Sequence, residues 1–194
     1  VISFDKNEAK KYGFLYHPTV FSHIPISVCD NKKCDVFFIG KYKGRLDLLV
    51  DIYKKLTSNG LICKFIVLNA PIDKRQIPDK IEYIDKSIKY KDVLQLVNGA
   101  NCILELIQPG AVGYTYRLWE SISYNKYLLS NNISLLNSEF YDSNFMSIFN
   151  TIDDIDTAFL KKIDEPCRIS NLQSKKISPR NLVQFIDHQL NVKI

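Results

Sequence analysis

Nothing in this sequence approaches the roughly 18 apolar residues that a membrane-crossing helix requires, and no signal-peptide pattern opens it. A soluble chain is expected. Histidine is scarce: His17, His23 and His188 are all there is, and none stands near a second cysteine pair. That argues against zinc, and we expect no metal site. Cysteine is odd in number and scattered, with Cys29, Cys34, Cys63, Cys102 and Cys167 read as reduced core thiols of a cytosolic protein. There is no Ser/His/Asp order, nucleophile elbow or HExxH, which leaves hydrolase mechanisms built on them without support. No internal repeat or low-complexity linker interrupts the chain. It also lacks an initiator methionine, so it is expected to be one part of a longer protein.

What is present fits one substantial core. The 194 residues are 46% hydrophobic and 24% charged, a globular balance near the upper end of a single ordinary domain. Twenty-six basic against twenty-one acidic residues leave a net charge of +5, spread along the chain. Nucleic-acid binding gains little from so modest a bias. It suits an acidic ligand such as a nucleotide diphosphate, or a loose association with an anionic membrane surface.

Short apolar runs alternate with helical periodicity. Residues 5–12 read as a charged helix, after which Gly13, Pro18 and Pro25 break any long pattern. Val36-Phe37-Phe38-Ile39 is a continuous apolar run of the kind a doubly covered parallel strand needs, ended by Gly40. Leu46, Leu49, Val50, Tyr53 and Leu56 recur at helical spacing up to Asn59-Gly60, and the next strand is 63–68. After the Ala70-Pro71 break and a polar loop with Pro78 come a short strand at 81–84 and a helix face of Val93, Leu94, Leu96 and Val97 ending near Gly99. A strand at 102–107, a helix at about 115–124 and a strand at 127–129 follow. The tail reads as a strand at 145–149, a short helix at 152–159, and a closing helix to about Leu190 started by Ser178-Pro179. This alternation predicts an α/β fold: a Rossmann-like parallel sheet flanked by helices, with right-handed crossovers and the terminal helix packing back. Residues 1–34 are expected to be a lead-in segment packed on the core, and 35–194 the Rossmann-like domain.

Two turns follow strand ends on one edge of that sheet, where ligands of open α/β sheets bind. The first, Gly40-Lys41-Tyr42-Lys43-Gly44-Arg45, places three cations and two glycines in six residues. Its spacing fits neither a Walker loop nor GxGxxG. It is either a solvated basic turn or a cradle in which Lys41, Lys43 and Arg45 neutralise a diphosphate beside close-approaching backbone. The second, from Gln108 through Gly110, Gly113, Tyr114 and Thr115 to Arg117 and Glu120, joins an apolar strand to a helix N-terminus, whose unpartnered N–H groups suit an anion. Arg117 and Glu120 are either an i,i+3 surface ion pair or part of half a nucleotide-sugar pocket. Tyr114 and Tyr116 could stack on a base or shield the loop. Trp119 and Leu118 point to core, the histidines to structural roles, and Asp5, Glu8 and Glu105 remain carboxylates able to act as a base.

The segments DVFFIGKYKGR, ILELIQPGAVGYTYRLWESISYNKYLLSNN and ISFDKNEAKKYG resemble bacterial glycosyltransferase-like proteins of lipopolysaccharide and capsule biosynthesis, in their GT-B-type C-terminal half. The resemblance covers most of the chain. It implies a donor-binding half of an enzyme that moves a sugar from a nucleotide-diphosphate sugar to a surface polysaccharide or lipopolysaccharide acceptor. It further implies Glu120 on ribose hydroxyls, Arg117 with Lys41, Lys43 and Arg45 on phosphates, and the backbone from Gly110 to Tyr114 on sugar or phosphate. Transfer of this type needs no bound metal and no cofactor beyond the donor substrate. The implied partners are the nucleotide sugar, a glycan or lipid-linked acceptor and a missing N-terminal acceptor domain, with no nucleic acid and at most peripheral membrane association. The implied location is the cytoplasm, up to the inner face of the membrane.

Two rivals stand beside this reading. One is a non-catalytic Rossmann-like binding or scaffold module of a polysaccharide-assembly complex, which would let Arg45 and Arg117 point to opposite faces. The other, a flavodoxin-like receiver, would place acids at the end of the first strand, where lysines stand instead.

Overall fold

A computed structural model describes residues 1–26, 34–69, 80–108, 111 and 113–191. Cys29, Ala70-Pro71, Pro78 and Gly110 of the sequence reading lie outside the described residues. The chain groups into two compact units, residues 26–168 and residues 1–25 with 169–194.

The larger unit is built on six parallel strands. In chain order its elements are β3 (Cys34–Lys41), α2 (Leu46–Ser58), β4 (Cys63–Leu68), β5 (Ile81–Ile84), α3 (Tyr90–Asn98), β6 (Ala100–Glu105), α4 (Tyr116–Tyr124), β7 (Tyr127–Ser130), β8 (Met146–Ile148) and α5 (Thr157–Lys162). The spatial order is β5-β4-β3-β6-β7-β8. Chain succession therefore runs outward from β3 in one direction and, after α3, from β6 in the other. This is the doubly wound, Rossmann-like arrangement, and its direction reverses between β3 and β6.

The residues explain the elements. Val36, Phe37 and Phe38 are buried as a continuous run, because β3 is central and covered on both faces. In α2 the buried positions are Leu49, Ile52 and Leu56, the spacing of one helix face. Each such leucine or isoleucine contributes roughly 1.5–3 kcal/mol by leaving water. Trp119 on α4 is also fully buried, with its ring edge-on to Phe140 at 4.9 Å and to Tyr114 at 5.2 Å. The described cysteines are free thiols, and burial pushes Cys34 up to about 11 and Cys63 up to about 12. They behave as small core residues.

Several boundaries differ from expectation, the strand expected at 145–149 being Met146–Ile148 for one, and three of them differ for evident local reasons. Gly40 does not end its strand: it pairs with Val67, and Lys41 pairs with Leu68. The strand expected at 102–107 instead spans Ala100–Glu105. Past that point the Asn131 side chain replaces the ladder, its Oδ1 accepting from Ile107 N at 2.7 Å and its Nδ2 donating to Ile107 O at 3.3 Å. The helix expected at 152–159 divides into a 3-10 turn at Ile152–Asp154 and α5. Thr151 and Asp154 close the turn as a capping box, and Asp156 starts α5 by accepting from Ala158 N at 2.8 Å.

The smaller unit contains β1 (Ile2–Ser3), α1 (Lys6–Tyr12), β2 (Leu15–Tyr16), α6 (Asn171–Lys176) and α7 (Pro179–Asn191). Asp5 caps α1 by accepting from Asn7 N at 2.7 Å and Glu8 N at 3.0 Å, while Gly13 closes it at φ 69°. β1 and β2 pair in parallel. Buried His17 makes ring contacts within this unit: Nδ1 to Pro18 O at 2.7 Å, Nε2 to Asn181 Oδ1 at 3.0 Å, and its face against Phe185. It acts as a structural tie between the segment after β2 and α7. Among the described residues no helix is long and apolar enough to cross a membrane.

Candidate functional site

The reversal between β3 and β6 opens a crevice at their carboxyl ends, and both turns singled out in the sequence meet there. A cavity of about 250 Å³ is lined by Lys43 and Arg45 from the first turn, and by Gln108, Ala111, Thr115 and Arg117 from the second. Phe38, Leu104 and Glu105 help to form its wall. Ligand clefts commonly run to ~300–1,000 Å³. This one lies just below that range.

Arg45 is the central cation. It crosses the crevice so that Nη1 donates to the carbonyl of Leu106, while Nη2 donates to Lys41 O at 3.2 Å. The guanidinium carbon lies 5.6 Å from the centre of the Phe38 ring. Burial lowers its proton affinity, Nε is buried without a partner, and no carboxylate pairs with it among the described residues. Its charge is left uncompensated by acidic groups among the described residues, and an anion could pair with it. Gly40 makes this placement possible, since a Cβ there would stand 2.7 Å from Arg45 Nη2. Lys43 enters the cavity wall from a left-handed backbone, φ 48°, followed by Gly44 at φ 68°. A left-handed lysine costs on the order of 1–2 kcal/mol. Residues held in strained conformations cluster at working sites.

The second turn is tied down differently. Thr115 caps α4 by accepting from Arg117 N at 3.0 Å, and its hydroxyl donates to Glu105 Oε1. Ser130 at the end of β7 donates to Glu105 Oε2. Glu105 therefore joins the tip of β6, the start of α4 and the tip of β7; burial raises its pKa, and the two hydroxyls oppose that rise. Arg117 pairs with Glu120, whose other oxygen accepts from Tyr90 Oη at 3.0 Å. Burial raises the pKa of Glu120, opposed by Arg117 and by the Tyr90 bond.

Of the residues expected from the sequence, the structure brings Lys43, Arg45, Gln108, Thr115 and Arg117 to one cavity. Lys41 is exposed at the end of β3 and does not line it, and Gly40 lies beneath Arg45. Gly113, φ 93°, gives its carbonyl to Asn132 Nδ2 at 3.0 Å. Tyr114 belongs to the Trp119–Phe140 cluster and receives a hydrogen bond from Ser138 Oγ at 3.1 Å. Of the two tyrosines weighed for stacking, Tyr114 is thus engaged in packing, whereas Tyr116 is exposed. Glu120 is wholly buried, both oxygens are occupied, and it does not line the cavity. It holds Arg117 from behind. The i,i+3 pair is real but not a surface pair, because α4 turns Glu120 toward the sheet.

The sequence reading missed the supports: Ser130, Asn131 and Asn132 at the tip of β7, and Tyr90 at the start of α3. The polar run Ser130-Asn131-Asn132 at the end of an apolar strand was the available signal for the first three. Among the described residues, no group of three or more His, Cys, Asp or Glu could hold a metal ion.

The sequence matches no family model and no curated protein. Among solved structures, the crystal structure of TarM is similar at TM-score 0.61 and 11% identity, covering 98% of this chain and 42% of TarM. The glycotransferase of kitacinnamycin is similar at TM-score 0.47 and 8% identity, covering 90% of this chain and 49% of that one. The chain thus spans less than half the length of either structure. At such identities the likeness is one of fold, and the fold, a six-stranded parallel sheet flanked by helices with the Rossmann strand order, is one this chain shares with TarM.

Proposed function

We propose that this chain is the donor-binding half of a GT-B-type glycosyltransferase that moves a sugar from a nucleotide-diphosphate sugar to a surface polysaccharide or lipopolysaccharide acceptor. The observation that carries the reading is Arg45, a half-buried guanidinium without an acidic partner among the described residues, set beside Lys43 and Arg117 at the switch point of the sheet. The fold shared with TarM, a glycosyltransferase, supports the reading.

In this reading the diphosphate bridges Arg45 and Lys43 on one side and the N-terminus of α4 with Arg117 on the other. When the glycosidic bond to the donor breaks, negative charge grows on the departing diphosphate. Fixed cations and a helix N-terminus stabilise that charge without a metal ion. Glu120 acts through Arg117, and Gln108 with the backbone around Gly113 faces the sugar. The acceptor-binding half and the catalytic base come from a further N-terminal domain, and the enzyme works in the cytoplasm up to the inner face of the membrane.

A thermal-shift panel of UDP-, GDP-, CMP- and dTDP-linked sugars tests this. A ligand at 100 times its Kd adds about 2.7 kcal/mol, and each kcal/mol moves the midpoint of a chain this size by roughly 2–4 °C. One nucleotide class should raise the melting temperature in the native protein and lose its effect in Arg45→Ala. No shift with any of the four at millimolar concentration, or an undiminished shift in the variant, overturns the assignment.

A further inference from the structure

The smaller unit departs from the larger in both charge and surface. Residues 1–25 and 169–194 carry seven Lys or Arg against three Asp or Glu, a net +4 out of the chain's +5, in about a quarter of its length. Eight of the thirteen exposed large apolar side chains among the described residues also belong to it: Val1, Phe4, Tyr12, Ile24, Leu172, Val183, Ile186 and Leu190. The last three are decisive. On α7 the buried-side positions are Asn181, Leu182, Phe185 and Gln189, and Val183, Ile186 and Leu190 follow one another at i, i+3 and i+7. This spacing aligns them as a second apolar stripe on one side of the helix, with Val183 65% and Leu190 62% exposed. The apolar arc of α7 is thus wider than the part its own unit covers. Lys175 and Lys176 on α6 and Arg180 in the first turn of α7 are exposed basic residues in the same stretch, against Asp187 alone.

We infer that α7 docks the protein on an anionic lipid surface, with Val183, Ile186 and Leu190 entering the headgroup boundary and Lys175, Lys176 and Arg180 meeting lipid phosphates. An apolar helix stripe combined with a basic patch is the pair of signals that interfacial binding needs. Charge decides between a second copy and a bilayer. A second copy of this chain would bring one +4 unit against another, whereas an anionic bilayer complements both the charge and the apolar stripe. This docking does not depend on the sugar-transfer reading, since none of its residues lines the cavity.

The experiment is flotation of the full chain with phosphatidylcholine vesicles, with and without 30% phosphatidylglycerol, at low and high salt. Binding should require the anionic lipid and weaken with salt. Each basic residue near such a surface is worth about fivefold in binding, so Lys175→Glu, Lys176→Glu and Arg180→Glu together should reduce it on the order of a hundredfold or more. Val183→Ser, Ile186→Ser and Leu190→Ser together should abolish flotation while the melting temperature stays within a few degrees. If that variant does not fold, the charge-reversal variant, altered only at exposed positions, carries the test. Absence of flotation in the native chain, equal binding to neutral vesicles, or unchanged binding by the variants overturns the inference. So does light scattering that shows a dimer dissolved by the serine substitutions without lipid binding, which would make the stripe a protein interface.

Discussion

Arg45 and Arg117 face one cavity from opposite turns, and they are held in opposite ways. Arg117 sits against a buried carboxylate and is neutralised by it, with Tyr90 fixing that carboxylate in turn. Arg45 rests on two backbone carbonyls and an aromatic face, which satisfy its N–H groups without cancelling its charge. The difference separates two tasks that a pair of arginines could otherwise share. Arg117 reaches the cavity with its charge largely balanced by a carboxylate that it also holds in the core, whereas Arg45 reaches it with no acidic partner among the described residues.

Removing either arginine should therefore produce unlike defects. Arg117→Ala strands Glu120 in the core, and loss of one member of a buried pair costs about 3–5 kcal/mol. Urea unfolding should show this as a large drop in midpoint, while Arg45→Ala unfolds near the native midpoint. Similar losses in both variants would erase the distinction.

Gly40→Ala sharpens the comparison from the Arg45 side. The new methyl would meet the far end of a flexible side chain, which can swing away, and the Phe38 ring at 3.0 Å, which must give a few tenths of an ångström. Stability should fall by about 1 kcal/mol, but the guanidinium leaves its carbonyls, and calorimetric affinity for the nucleotide sugar should drop by roughly tenfold to a hundredfold. Unaltered affinity would show that the placement of Arg45 over Gly40 is unimportant.

Lys43→Gly tests the strained partner of Arg45. Glycine accepts the left-handed backbone, so the variant should gain up to about 1 kcal/mol in unfolding free energy while binding the same ligand several-fold more weakly. A loss of both together would mean that Lys43 has a structural role.

The smallest effect concerns protons on the Arg117 side. Burial holds the pKa of Glu105 above its ordinary value of 4.5. A carboxyl raised in the folded state binds protons more tightly folded than unfolded. Its stabilising contribution is complete below the unfolded pKa and is lost as pH rises through the folded one. Glu105→Gln, which keeps the shape and loses the charge, should flatten the gain that the native protein shows as pH falls from neutral toward 4.5. Melting curves at half-unit pH steps provide the measurement, and parallel profiles would dismiss Glu105 as the titrating group.

Much of this molecule was legible in its residues because strands and helices leave local periodic traces. Val36 to Ile39 read as a covered strand, Leu49 to Leu56 as a one-faced helix, and Ser178-Pro179 as a helix start, and the structure has each of them. The ends of elements were less legible. β6 stops at Glu105 although apolar residues continue, because Asn131, far along the chain, takes over the backbone groups of Ile107. The basic turn was visible as charge, but not which of its cations would line the cavity, since Lys41 and Lys43 are chemically alike and differ in backbone: Lys41 ends β3, while Lys43 sits in the left-handed region.

By itself the sequence determined the class of fold and the two turns that meet at the carboxyl edge of the sheet. These follow from patterns within a few residues, where side-chain spacing and backbone geometry are directly coupled. Only the tertiary structure decided that Arg45 reaches the carbonyl of Leu106, 61 residues away, and that Glu120 turns inward while Arg117 reaches the cavity. Those choices depend on how sheet register and helix rotation bury apolar area, a balance struck across the whole core.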